Sequence, residues 1–111
     1  MNDQLNRMLV CAETWQHKHS RSLEELIQKL REETHEYLTA KGEANKLSEL
    51  GDIIGNALRM FVKLDPAQRE FVVQVMEMKI SRRMDLGVKD ADFEDNFISE
   101  LAFAMLGKED K

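Results

Sequence analysis

Cysteine, proline and glycine are scarce: one, one and five among 111 residues. A lone Cys11 cannot build an internal disulfide framework and suits a reducing compartment. So few helix breakers leave long stretches uninterrupted, which favours helices. No alternating polar and apolar run reads as a strand. No apolar run approaches the roughly 18 residues that a membrane span requires. Met1 to Val10, with Asp3 and Arg7 inside it, lacks the apolar block of a signal peptide. The resulting expectation is a cytoplasmic protein with no membrane partner. An excess of positive charge is also missing. The net charge of −5 argues against duplex nucleic acid as a partner, because such binding neutralises phosphates with Lys and Arg. No Gly-rich phosphate loop and no Ser/His/Asp arrangement stands out, and three unconnected histidines with one cysteine make no zinc site.

What is present is 42% hydrophobic and 33% charged residues, a balance that fits a soluble globular protein and argues against disorder. The length suits one domain with a single core, assigned to residues 1–107, with a charged tail at 108–111 expected to fray. The spacing predicts five helices. The first covers about Asp3 to Lys18, with Leu5, Met8, Leu9, Ala12 and Trp15 on one face. The second opens at Ser22, where Ser22-Leu23-Glu24-Glu25 is a capping box, runs to about Ala40 and stops near Gly42. The third runs from about Glu43 to Leu64. Asp65-Pro66 caps and opens the fourth, which ends at Gly87. A shorter fifth spans about Asp92 to Leu106. The fold class is therefore all-α, a bundle of four core helices plus a short C-terminal helix. The apolar arc of the third helix is broad enough to want cover on more than one side, which predicts completion by oligomerisation, at least to a dimer.

Four acidic residues stand out against this frame. Glu33 and Glu36 are three apart on the second helix and share a face, and Glu49 and Asp52 repeat that spacing on the third. A short connection makes the two helices antiparallel and able to bring the pairs together. At about 100° per residue, Glu33 falls roughly 20° from Leu26, at the edge of the packed face. Single Glu-x-x-Glu pairs are common on solvated helix surfaces; two pairs on successive helices, both flanking the core face, are more specific. Four converging carboxylates repel one another unless a cation sits among them, and oxygen-only ligands suit Mg²⁺, with Mn²⁺ as a substitute.

On the fourth helix, Lys79, Arg82 and Arg83 continue the inner face begun by Phe71, Val72 and Val75. Such cations either contact a substrate's phosphates, or pair with the carboxylates of the second and third helices, or snorkel to solvent and complement the helix C-terminus. Trp15 and Tyr37, the only residues of their kinds, either stack on a nucleobase or pack in the core. Asn56, one turn after Asp52, either contacts the substrate or hydrogen-bonds across the bundle.

Leu30-Arg31-Glu32-Glu33-Thr34-His35-Glu36, followed after twelve residues by Glu49-Leu50-Gly51-Asp52, resembles the Glu-x-x-Glu … Glu-x-x-Asp signature of the MazG-like, all-α nucleotide pyrophosphohydrolases. The resemblance is sharpest from Leu26 to Phe61. It departs from many relatives at His35, where they carry glycine, and residues 88–111 match nothing in the pattern. The resemblance implies Glu33, Glu36, Glu49 and Asp52 as Mg²⁺ ligands and catalytic residues, with cleavage of a nucleoside triphosphate between its α- and β-phosphates. It also implies phosphate contacts from Lys79 and Arg82, with Arg83 the weaker candidate. A contribution of the first helix to the nucleoside pocket and a homodimer or dimer of dimers follow from it as well. Phosphoribosyl-ATP as substrate and a non-catalytic helical regulator are the rival expectations.

Overall fold

The computed structural model describes residues Asn2 to Gly107. It contains five α-helices: α1 Asn2–His19, α2 Leu23–Thr39, α3 Glu43–Val62, α4 Pro66–Leu86 and α5 Ala91–Leu106. No strand occurs among the described residues. The all-α expectation holds, with helix ends within two residues of those read from the pattern. The tail expected at Lys108 to Lys111 lies outside the described residues. No helix among the described residues is long and apolar enough to cross a membrane.

The chain divides into two compact units, Met1–Lys63 and Leu64–Lys111. In the first, α3 is the central element and packs against both α1 and α2. The local chemistry at the α1–α2 corner explains the turn. Ser20 adopts a left-handed conformation (φ 47°), and the Arg21 carbonyl accepts from Gln16 Nε2 at 2.6 Å and from Lys63 Nζ at 2.8 Å. One carbonyl thus ties together the end of α1, the turn and the end of α3. At the start of α2 the capping box is complete: the Glu25 amide donates to Ser22 Oγ and the Ser22 amide to Glu25 Oε1.

α2 ends where the pattern puts it, with Ala40 as its C-cap, and Gly42, with φ 88°, is the N-cap of α3. A left-handed backbone there suits glycine and turns the chain back at once. The two helices consequently run antiparallel, and Leu26 near the start of α2 lies across from Asn56 in the second half of α3, whose Nδ2 donates to the Leu26 carbonyl at 2.7 Å.

The second unit is a helical hairpin, α4 packed on α5. Asp65 caps α4 in a reciprocal box with Gln68, and Pro66 occupies its first turn. Gly87 ends it in the left-handed region (φ 73°), and the Asp90 carboxylate accepts from the Phe93 amide to start α5. Fully buried apolar side chains are few: Ala12, Leu26, Val62 and Ala102. Large apolar side chains remain exposed along every helix, among them Leu47, Leu50 and Ile54 on α3 and Val73, Met76, Ile80 and Met84 on α4.

Candidate functional site

The antiparallel pairing of α2 and α3 places the two acidic pairs opposite one another. Glu33 is buried, 4% exposed; Glu49 is half-buried; Glu36 and Asp52 are exposed. Burial pushes the Glu33 carboxyl above its ordinary value, the nearby charge of Asp52 pushes it further and that of Glu36 adds a little. Lys29 and Arg59 pull in the opposite direction. Glu49 is likewise raised, by burial first and then by the neighbouring Glu36 and Asp52 carboxylates. Glu33 and Glu49 each feel the charges of both Glu36 and Asp52.

Two oxygens in this group, Glu33 Oε1 and Glu49 Oε2, are buried without a hydrogen-bond partner. An ionised carboxylate in that position lacks compensation from donors, which a cation or a proton could supply. The donor set, oxygen atoms only, suits Mg²⁺ or Mn²⁺. The side chains do not form a finished cage: among the described residues, no group of three or more His, Cys, Asp or Glu is arranged to hold a metal ion as it stands.

Asn56 is the most enclosed polar residue of α3, 0% exposed. Its Nδ2 is held by the Leu26 carbonyl, while its Oδ1 has no partner. Asn56 also lines a small cavity of about 50 Å³ with Trp15, Arg21, Lys29 and Arg59. Trp15 is half-buried at the mouth of this cavity. The Arg59 guanidinium carbon lies 4.3 Å from its ring centroid and that of Arg21 lies at 5.7 Å. A larger open cleft of about 700 Å³, between α1 and α3, adjoins the same indole and guanidinium and includes Arg7 and Cys11. Tyr37 sits apart from Trp15 in sequence and surroundings; it is half-buried under Lys46, whose Nζ is 5.4 Å from its ring and donates to its carbonyl.

The basic end of α4 is occupied within its own unit. Arg83 makes a two-pronged contact with Glu94, Nη2 to Oε1 at 2.7 Å and Nε to Oε2 at 3.0 Å. Arg82 donates to Asp90 Oδ2 at 3.1 Å and lies 3.5 Å over the Phe93 ring. Glu94 is buried, and the Arg83 hydrogen bonds hold its carboxyl below the ordinary value. Lys79 is half-buried on the same face. Both arginines are thus paired with carboxylates, but the acids are Asp90 at the N-cap of α5 and Glu94 on it, not those of the second and third helices that the sequence reading named.

Residues that the sequence reading passed over are Lys29 and Arg59, which flank the carboxylates, and Asp90 and Glu94. Arg59 had a legible signal: it lies three residues after Asn56 and seven after Asp52, on one helical face. Glu94 had none, because an acid in the first turn of a helix is ordinarily a solvated partner of the helix dipole. Compared with protein-family models, with curated proteins and with solved structures, the chain shows no match.

Proposed function

We propose that this protein is a divalent-cation-dependent nucleotide pyrophosphohydrolase of the MazG-like type, which cleaves a nucleoside triphosphate between its α- and β-phosphates. The observation that carries the reading is the meeting of Glu33, Glu36, Glu49 and Asp52 at the α2–α3 interface, with two buried oxygens left unpartnered. These four side chains would hold the cation, Mg²⁺ or Mn²⁺, with the exposed Glu36 and Asp52 free to adjust around the fixed Glu33. Such a cation, when bound, activates water and neutralises charge on phosphate oxygens.

In the reaction, a water oxygen attacks the α-phosphorus, the bond from that phosphorus to the bridging oxygen breaks, and pyrophosphate leaves. One of the four carboxylates accepts the proton of the attacking water. Lys79, Arg82 and Arg83 are the candidate phosphate contacts on α4, and for the two arginines a phosphate has to compete with Asp90 and Glu94. Trp15 and Asn56 are the candidate nucleoside contacts: an indole with an open cleft beside it, and a buried acceptor in a fixed orientation. Tyr37, covered by Lys46, is the weakest of that set. Assembly of the helices into a four-core bundle completed by a dimer or a dimer of dimers belongs to the same reading. The exposed apolar side chains on α3 and α4 support it.

The test is pyrophosphate release from a panel of canonical and modified nucleoside triphosphates, with Mg²⁺, with Mn²⁺ and with chelator. Metal-dependent release of monophosphate and pyrophosphate is expected, and Glu49→Gln should abolish it while leaving the helical spectrum intact. Silence across the panel from folded protein would refute the reading in favour of phosphoribosyl-ATP, if that compound is cleaved, or of a non-catalytic regulator.

A further inference from the structure

Two stripes of side chains run away from the acidic cluster along the α2–α3 interface. On α3 the order is Asp52, Asn56, Arg59, at steps of four and three residues; on α2 it is Glu36, Glu33, Lys29, at steps of three and four. Each stripe begins acidic and ends basic. Asp52 and Arg59 are separated by seven residues, about 10 Å along the helix axis. At the basic end Arg59 rests on the face of Trp15 at 4.3 Å and borders both the small cavity beside Asn56 and the open cleft between α1 and α3.

Arg59 differs from Arg21, which pairs with Glu25, and from Arg82 and Arg83, which pair with Asp90 and Glu94. Arg59 is half-buried, yet among the described residues no hydrogen bond or ion pair occupies its guanidinium, which stacks on the Trp15 ring and acts on Glu33 through its charge alone. A guanidinium carries its donors in a planar fork suited to two oxygens of a phosphate. Stacking on an indole fixes the plane of that fork without consuming any donor. The orphaned Asn56 Oδ1 in the same cavity is a second, independent sign of a ligand: a buried acceptor with its amide locked by the Leu26 carbonyl.

We propose that Arg59 is a substrate-positioning residue that binds the phosphate oxygens of the nucleotide from its seat on Trp15, at the basic end of the stripe that begins at Asp52. The inference rests on the nucleotide reading above and deepens it by placing an anion hold within the first unit itself. It separates two tasks along one interface: the carboxylates serve the cation, and Arg59 orients the nucleotide's own charge. The alternative role for Arg59 is to pack against Trp15 and no more. Lysine in its place would retain a cation over the ring but lose the two-pronged fork.

The experiment uses the whole protein and its single tryptophan. Adenosine, guanosine, cytidine and uridine monophosphates are titrated in Mg²⁺, following Trp15 fluorescence and heat of binding, for wild type, Arg59→Ala and Arg59→Lys. Mn²⁺ binding and thermal midpoints are measured alongside. At least one monophosphate is expected to bind wild type. Arg59→Ala should weaken that binding about tenfold to a hundredfold, the loss associated with a hydrogen bond to a charged group. Arg59→Lys should recover only part of it, with Mn²⁺ affinity unchanged in both. Wild-type affinity in Arg59→Ala, full recovery by lysine, or absence of binding to wild type would each overturn the proposal. If monophosphates bind through Arg59 but no triphosphate is hydrolysed, the positioning role stands and the pyrophosphohydrolase reading falls. If hydrolysis proceeds with an unchanged KM in Arg59→Ala, the reverse holds.

Discussion

Asn56→Leu separates stability from binding at one atom. Asn56 is 0% exposed and makes one hydrogen bond, from Nδ2 to the Leu26 carbonyl at 2.7 Å. Losing a single such bond costs about 0.5–1.5 kcal/mol. The Leu26 carbonyl keeps its place in the α2 ladder, so it is not left bare. Against this loss stands Oδ1, buried without a partner, whose removal relieves about 1–3 kcal/mol of uncompensated desolvation. Leucine is larger than asparagine, but the adjoining cavity of about 50 Å³ offers room for its methyl groups, which limits overpacking. The net expectation is a variant between equal and about 2 kcal/mol more stable. At roughly 4–8 °C per kcal/mol for a domain of this size, the thermal midpoint should hold or rise by up to about 15 °C. Nucleotide affinity should fall in the same variant, because the fixed acceptor is gone. Thermal and urea melts in chelator, paired with monophosphate titration, measure both. A loss of stability greater than about 1 kcal/mol would refute the claim that Oδ1 is an orphan in the ligand-free protein.

Metal and pH should act together on the first unit. The carboxyls of Glu33 and Glu49 are raised above 4.5, so their contribution to stability is present at low pH and is lost as pH rises through their folded values. In chelator the thermal midpoint should therefore fall with rising pH above about 4.5. Glu33→Gln should reduce that fall, and Mg²⁺ should abolish it in wild type; a midpoint indifferent to Mg²⁺ at neutral pH would count against a cation among these acids. The second unit should show the opposite sign. Glu94 is held below 4.5 by Arg83, so its contribution is present above the unfolded value and is lost as pH falls through the folded one. Acid melts of Glu94→Gln should be less pH-dependent than wild type, and an unchanged acid limb would sink that assignment. Finally, sedimentation over a dilution series should show self-association, given exposures of 52% for Ile54, 66% for Ile80 and 75% for Met84. Ile54→Glu should weaken it, whereas a monomer at every concentration would remove the assembled bundle from the proposal.

Much of the local structure was legible because its causes are local. The Ser22–Glu25 box, the Asp65-Pro66 opening and the Gly87 stop each depend on residues within one turn of each other, and each appears in the structure. Gly42 shows the limit of that kind of reasoning. A glycine between two helices can end the first or begin the second, and only its φ of 88° at the N-cap of α3 decides. The same holds for Asp90, which starts α5 one residue earlier than the apolar spacing indicates. Among candidate site residues, the pairwise spacing of the acids correctly placed Glu33 at the packed face, because a helix converts sequence distance into angle. Arg82 and Arg83 illustrate what angle alone leaves open. Periodicity put Arg82 on the inner face, but the acids awaiting both side chains sit eight and eleven residues away across a turn. The stacking of Arg59 on Trp15 joins residues of different helices, so no spacing rule within either one announces it.

The distribution of buried polar groups bears on why these residues are where they are. Three polar side chains are buried among the described residues, Glu33, Asn56 and Glu94, against four buried apolar ones. In Glu94 both oxygens receive a guanidinium donor, so its burial is compensated within the hairpin and has a structural account. Glu33 and Asn56 are different: each keeps an unpartnered oxygen. Leucine at either position would suit a chain whose only requirement was a larger core, and cores of that kind are stabilised by such replacements. Both uncompensated groups lie on the one interface between α2 and α3. The half-buried Glu49 adds its own orphaned oxygen at the acidic end of that interface, and Arg59 lies stacked on Trp15 at the other. Unpartnered buried atoms occur elsewhere too, at Gln16 Oε1 on α1 and Arg82 Nε on α4. Three acceptors, however, on Glu33, Glu49 and Asn56, gather on the α2–α3 interface beside the stacked Arg59. The proposed nucleotide with its divalent cation would satisfy acceptors and guanidinium alike.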